Sequence, residues 1–387
     1  MCACRPVATT RTCSTPRPTR ACCSTSVSND PHPRRQAMRF AHSLLAATLA
    51  LAASIAHADN FTLRMGGGHT TGLTYISVYD GFFADEVSQR VKARTGHNLR
   101  FIKAWGGSVA KVDGVLEAVQ KGSLDIGLSP IGFEQARAGL LNYSAYMPFT
   151  ADDPVLQQKV ASRMLKEVPA LQESVKPYNA HILAQMVTEA YGVATSFDWQ
   201  RVDELKGKRI AMAGTNAPLF MPTGAVPVTL GIGEHYQAMQ NGLADGSLFM
   251  VSGMEAFKLR EVAKVWTKTG FGSYSTFVSF MNLNTRARLP KEVVAIIDEV
   301  AEEATAKIAA ASRQRDLDIE ARLRGSGTQI HALSDAEKRR WAELVKDLPG
   351  RAAKELDAKG QPATQVLKTY VRFLEEAGYK FPIAYPL

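Results

Sequence analysis

The residues able to do chemistry are scattered. Between positions 59 and 387 the histidines are His69, His97, His181, His235 and His331, with no two at a metal-ligand spacing. Ser108 and Ser129 are hydroxyl nucleophiles without an evident partner base in the sequence. No GxSxG or HExxH motif occurs. Gly66-Gly67-Gly68-His69 follows a strand pattern, where a phosphate loop could sit. It lacks both the GxGxxG spacing and the Lys-Ser/Thr of a P-loop, so it reads as a tight turn beside a cleft. All five cysteines, Cys2, Cys4, Cys13, Cys22 and Cys23, lie in the first 23 residues. No second ligand cluster follows them at zinc-site spacing. No metal and no cofactor is expected.

The N-terminal tract carries its own signals. Residues 1–37 are rich in Arg, Ser, Thr, Pro and Cys and have no apolar periodicity, which reads as an untranslated or disordered extension ahead of Met38. From Met38, Arg39 begins a positive region, 43–56 is apolar, and Ala56-His57-Ala58 is a small-x-small cleavage site. That is a secretory signal peptide over 38–58, and its apolar run is short for a bilayer span. Residues 1–37 hold six Arg and one Asp, and Arg39 follows, so the formal +9 of the chain falls to +3 over 59–387. So small a charge gives no basis for a nucleic-acid partner.

The remainder alternates strand and helix. FTLRMG (61–66) is a strand, 73–94 a helix closed by Gly96, LRFIKAW (99–105) a strand, 108–122 an amphipathic helix and LDIGLS (124–129) a strand. A long polar helix over 153–177 and a strand at 181–187 lead to a second series: KRIAMAG (208–214), a short helix (217–223), VPVTL (226–230), a helix over 232–242 and SLFMV (247–251). Residues 274–283 could return to the first lobe. From Pro290 to about Arg324 the apolar residues Val293, Ile297, Val300, Ala304 and Ile308 mark one helix of about 50 Å, enough to bridge two lobes. The expected division is 59–190 plus 275–310 in lobe I, and 191–274 plus 311–387, with C-terminal helices, in lobe II. The fold class is α/β, a two-lobed type II-like binding-protein fold with a lobe-spanning helix.

Several stretches, in order, resemble the solute-binding subunit of tripartite ATP-independent periplasmic (TRAP) transporters, DctP type. They are GGSVAKVDGVLEAVQKGSLDIGLSP (106–130), Tyr146-Met147-Pro148-Phe149, Leu205-Lys206-Gly207-Lys208-Arg209-Ile210, Gly224-Ala225-Val226-Pro227-Val228, Tyr236 to Gly246, and Met281-Asn282 followed by Leu289-Pro290. The resemblance implies a periplasmic receptor that closes on a small organic solute, does no chemistry and delivers to membrane permease subunits driven by an ion gradient.

The departures are informative. The arginine that family members use for a substrate carboxylate aligns with Ala211, with Arg209 two residues earlier, and a second arginine position holds Ala194. Polar positions after Asp245-Gly246 hold Leu248 and Phe249. Losing an arginine fork disfavours a dicarboxylate and favours an aromatic or branched monocarboxylate in a drier pocket. Candidate substrate-binding residues are His69, Trp105, Ser129, Tyr191, Arg209, Ala211, Asn216, Phe220, Tyr236, Phe249 and Asn282. His69, or the N–H groups near Gly106–Ser108, could hold the carboxylate. The alternatives are a receptor for an ABC or sensor system and a secreted α/β enzyme, which would turn its ligand over.

Overall fold

The computed structural model describes residues 58–387 except Ser275. The extension at 1–37 and nearly all of the signal peptide at 38–58 lie outside the described residues. The chain from His57 onward forms one compact unit. Among the described residues no helix is long and apolar enough to cross a membrane.

Among the described residues eleven strands form two sheets. They are β1 (Asn60–Gly67), β2 (Asn98–Ala104), β3 (Ile126–Pro130), β4 (Ala180–Met186), β5 (Ala190–Thr195) and β6 (Arg209–Met212), then β7 (Val226–Thr229), β8 (Gly246–Met250), β9 (Val265–Ser273), β10 (Phe277–Asn282) and β11 (Gln329–Ala332). The first sheet has the order β2-β1-β3-β10-β4, the second β11-β9-β5-β8-β6-β7. In the first, β1 is parallel to both β2 and β3, while β10 runs antiparallel between β3 and β4. In the second, β6 is parallel to β7 and β8, and β5 is antiparallel to β8 and β9. The antiparallel members are the strands that leave or re-enter a sheet when the chain crosses between the two.

Three strands, β5, β9 and β11, were not foreseen. The small residues of Ala190–Thr195 give no amphipathic alternation, and Gly270 and Gly272 punctuate β9 as if it were a turn. The polar helix expected over 153–177 is two, Pro154–Glu167 and Pro169–Glu173. Pro169 forces Val168 out of helical geometry, to φ −117° and ψ 85°. The helix expected over 108–122 occupies only Val115–Gln120.

The helix Lys291–Gly325 has 35 residues, which is about 50 Å of axis. Val293, Ile296, Ile297, Val300, Ala304 and Ile308 pack in a cluster with Leu63, Met65 and Phe83 of the first sheet's layer. One end further on, Ile319 and Leu323 pack with Ala194, Ala211 and Trp266 of the second sheet. One helix therefore contributes to both cores, as its length foretold. Arg90 fixes its first half by a double contact to Glu303 at 2.6 and 2.8 Å.

The C-terminal tract divides. Trp341 of the helix Asp335–Leu344 is buried in the second sheet's aromatic nest with Phe220 and Phe271. The helices Leu348–Asp357 and Ala363–Glu376 do otherwise. Their Leu356, Val366, Leu367, Tyr370 and Phe373 share a cluster with Leu116, Leu141 and Phe280 of the first sheet's layer. The expected division placed all of 311–387 in lobe II; these two helices pack on the first sheet's layer. The aromatic tail pins the crossing turn of the Tyr146–Phe149 motif: Tyr385 donates to the Pro148 carbonyl (3.0 Å) and Tyr379 to that of Phe149 (2.8 Å).

Candidate functional site

The carboxyl ends of β1, β3, β6 and β8 are where an open α/β sheet receives a ligand. Here those ends belong to two sheets joined by the β4–β5 and β9–β10 crossings. The glycine run after β1 explains itself by proximity. A Cβ on Gly66 would lie 2.3 Å from the Ala104 carbonyl oxygen, on Gly67 2.5 Å from that of Leu128, and on Gly68 2.4 Å from the Val112 nitrogen. The loop is packed backbone on backbone. The Gly106 N–H donates to the His69 carbonyl (2.9 Å) and the Gly107 N–H to that of Gly67 (3.1 Å). Those two N–H groups are therefore spent within the loop, which corrects their assignment to a ligand carboxylate.

His69 Nδ1 lies 2.7 Å from the Tyr75 hydroxyl, and burial lowers its pKa, so the ring is an uncharged partner at neutral pH. Tyr75 packs on Phe277 at 4.3 Å between ring centres. Across the crossing, Tyr191 at the head of β5 lies 5.2 Å from Tyr274 and 6.5 Å from Phe249 near the end of β8. Phe249 meets Phe257 edge-on at 5.7 Å. Burial pushes the Tyr191 phenol up to about 12, so it stays neutral. Aromatic rings thus flank the crossings on both sheets. Asn216, half-buried, follows β6 in the turn Gly214–Asn216.

A cavity of about 210 Å³ lies where β5, β9 and the long helix meet, lined in part by Tyr191, Trp266, Lys268, Asp316 and Glu320. Lys268 pairs with Glu320 at 2.8 Å. Burial, reinforced by Glu189 and Glu320, pushes the Asp316 carboxyl up to about 8. Among the described residues no group of three or more His, Cys, Asp or Glu side chains is placed to hold a metal ion.

Residues 78–355 match the bacterial extracellular solute-binding protein family 7, DctP. The chain belongs to this family. A solute-binding protein of Albidiferax ferrireducens is 24% identical over 342 residues, covering 86% of this chain and 97% of that one. The fold matches a TRAP periplasmic solute-binding protein of Ochrobactrum anthropi with a TM-score of 0.71 at 18% identity, covering 83% of this chain and 96% of that one. It also matches one from Bordetella bronchiseptica, solved with bound (R)- and (S)-mandelate, with a TM-score of 0.68 at 19% identity, covering 81% and 99%. These proteins are solute-binding receptors, not enzymes.

In this family 7 protein Ala194 and Ala211 are fully buried. Ala194 and Ala211 share an apolar cluster with Ala238, Met239 and Trp266. Trp266 pairs with Ala194 across the β5–β9 ladder, and its ring lies against Gly192, where a Cβ would come within 2.4 Å of it. An indole occupies this face of the sheet beside Ala194. Gly192 is the residue that lets it lie flat.

Five expected site residues are committed elsewhere. Arg209 sits at the amino end of β6, the far edge from Met212, and its guanidinium and N–H all bind Asp245 (2.7, 2.9 and 3.1 Å). Asn282 stands where β3 begins, not where it ends. Its amide donates to the Val119 carbonyl (2.6 Å) and accepts from the Thr285 N–H (2.9 Å), capping the helix Leu283–Arg288. Phe220 is sealed in the nest with Phe271 and Trp341. Tyr236 lies on the helix Ile232–Gln240 and donates to Glu261 at 3.1 Å. The Trp105 N–H is taken by Asp80 at 2.6 Å. Ser129 is at the right end of β3 but fully buried. Sequence reasoning missed Trp266, Tyr274 and Glu189. Trp266 lies in an unrecognised strand, and Glu189 lies in the crossing itself, a segment without periodicity.

Proposed function

We propose that this chain is the receptor of a TRAP-type secondary transporter, taking a small aromatic or branched monocarboxylate by hinge closure and handing it to membrane permease subunits outside the cytoplasmic membrane. The observation carrying the ligand class is the buried apolar surface of Ala194 and Ala211 beside Trp266, where the resemblance implies arginines in the family. The aromatic pairs at the crossings, Tyr191 with Phe249 and Tyr75 with Phe277, suit an apolar body with one anionic end. Two relatives of the same fold accord with this: the Bordetella bronchiseptica protein holds mandelate, and a marine metagenome protein holds pyroglutamate. His69, Tyr191, Asn216 and Phe249 are the lining residues retained from the sequence, with Ala211 and Ser129 behind them.

The test is a thermal-shift panel on the chain from Asp59 onward, with aromatic and branched monocarboxylates, C4 dicarboxylates and neutral analogues. A ligand at 100 times its Kd stabilises by roughly 2.7 kcal/mol, a readily measured shift. Shifts confined to monocarboxylates are expected. Shifts confined to dicarboxylates would sink the ligand assignment while leaving the receptor function intact.

A further inference from the structure

The reading above places alanines where the resemblance implies strand arginines, so the ligand's anionic end needs a cation from another element. The long helix supplies one. Arg315 lies on the half of that helix that reaches the second sheet, and its side chain is 32% exposed. Its Nη1 donates to the Thr74 hydroxyl at 3.1 Å. Thr74 follows β1 of the first sheet after the glycine loop. The nearest carboxylate oxygen, Glu189 Oε1, is 4.0 Å from Nε, beyond hydrogen-bond reach. Of the neighbouring arginines, Arg322 grips Glu255 with two bonds (2.7 and 2.9 Å), Arg324 meets Glu320 at 3.4 Å, and Arg313, 3.8 Å from Asp153, lines the cavity rather than the Thr74 side of the helix.

Around Arg315 the two sheets come together. Glu189 stands in the β4–β5 crossing and is 3% exposed. Beside its carboxylate stand the hydroxyls of Thr74, which follows β1, and Ser252, which follows β8. Residues just past the carboxyl ends of a strand in each sheet therefore converge on one hinge carboxylate, with the guanidinium beside it. Burial holds the Glu189 carboxyl above its usual range. Asp316, next along the helix, faces the cavity and is raised likewise.

We propose that Arg315 is this protein's carboxylate anchor, a guanidinium carried on the lobe-spanning helix in place of the strand arginines that the resemblance implies at the positions of Ala194 and Ala211. The assignment rests on the organic-acid reading of the same site. A fork on the helix has a consequence that a fork on a strand lacks. The ligand's anionic end then pulls on the element common to both cores, while Thr74 and Ser252 bring the two sheets to it, so capture and closure share one contact.

The experiment is titration of the chain from Asp59 onward, as wild type, R315Q and R315K, with mandelate and with its neutral amide. Wild type is expected to prefer the acid by roughly 10- to 100-fold, the worth of one charge-assisted fork. R315Q should bring that ratio close to one while changing the amide's affinity little, and R315K should fall between, since an ammonium cannot reproduce the planar fork. Unfolding temperatures of the unliganded variants report folding separately. R315Q that weakens acid and amide equally, or neither, overturns the anchor while leaving the organic-acid reading standing. Wild type that takes up no acid overturns both.

Discussion

At the scale of single residues, the types of side chain mattered less than what each had already bound. Arg209 is the instructive case. Its position two residues before Ala211 on one strand suggested that it could take over the missing arginine's work, since alternate residues share a face. The face is shared, but the end of the strand is not. Arg209 and Asp245 stand together where β6 and β8 begin, and Asp245 accepts three hydrogen bonds from Arg209. The guanidinium holds the Asp245 carboxyl below the usual carboxylate range. R209A should therefore cost about 0.5–1 kcal/mol of stability, as expected for a partly exposed pair. It should leave ligand affinity within about twofold, since no interaction with the ligand is removed. Chemical denaturation and ligand titration on one preparation check both. A loss of affinity would restore Arg209 to the site. The burial of Ala194 and Ala211 could be expected from sequence as a loss of charge. That an indole fills the adjoining surface could not, because Trp266 is brought there only by the β5–β9 pairing, with Gly192 clearing its path.

At the scale of elements, periodicity served well where one face of a helix is apolar and poorly where a segment is crowded from both sides. The long helix was legible over its full length because Val293, Ile297, Val300, Ala304 and Ile308 mark a single stripe. β5 was not legible, since its residues are small for the sake of their neighbours across the ladder. Two of the family motifs hold caps or strand-end pairs, Asn282 at a helix start and Arg209 with Asp245. Asn282 of the Met281-Asn282 motif terminates β10 and starts the helix Leu283–Arg288 by accepting from the Thr285 N–H. It also ties that helix start to the Val119 carbonyl. N282A should cost about 1–2 kcal/mol, combining a lost cap and a buried carbonyl left without its donor. Ligand affinity should be unaltered, which a melting curve with and without ligand would show as equal shifts in variant and wild type. A ligand shift lost in N282A would place the residue in the cleft instead.

At the scale of the whole molecule, the alternation of strand and helix disclosed two α/β layers. The crossings and the return of the C-terminal helices to the first sheet were not disclosed, because they depend on contacts between residues hundreds of positions apart. Tyr370, for example, donates to Gln157 (2.9 Å), and Tyr385 reaches the Pro148 carbonyl. The result is a molecule whose two cores are joined by the β4–β5 and β9–β10 crossings and by one continuous helix, the arrangement hinge closure requires. Closure on an apolar acid is the central claim, and titration calorimetry of the chain from Asp59 onward tests it most directly, with mandelate and succinate measured side by side. Mandelate should bind with a negative heat-capacity change, the mark of apolar burial, and succinate at least about tenfold more weakly, since a second carboxylate finds no strand arginine. Succinate bound as tightly as mandelate, or neither acid bound at all, would contradict the account.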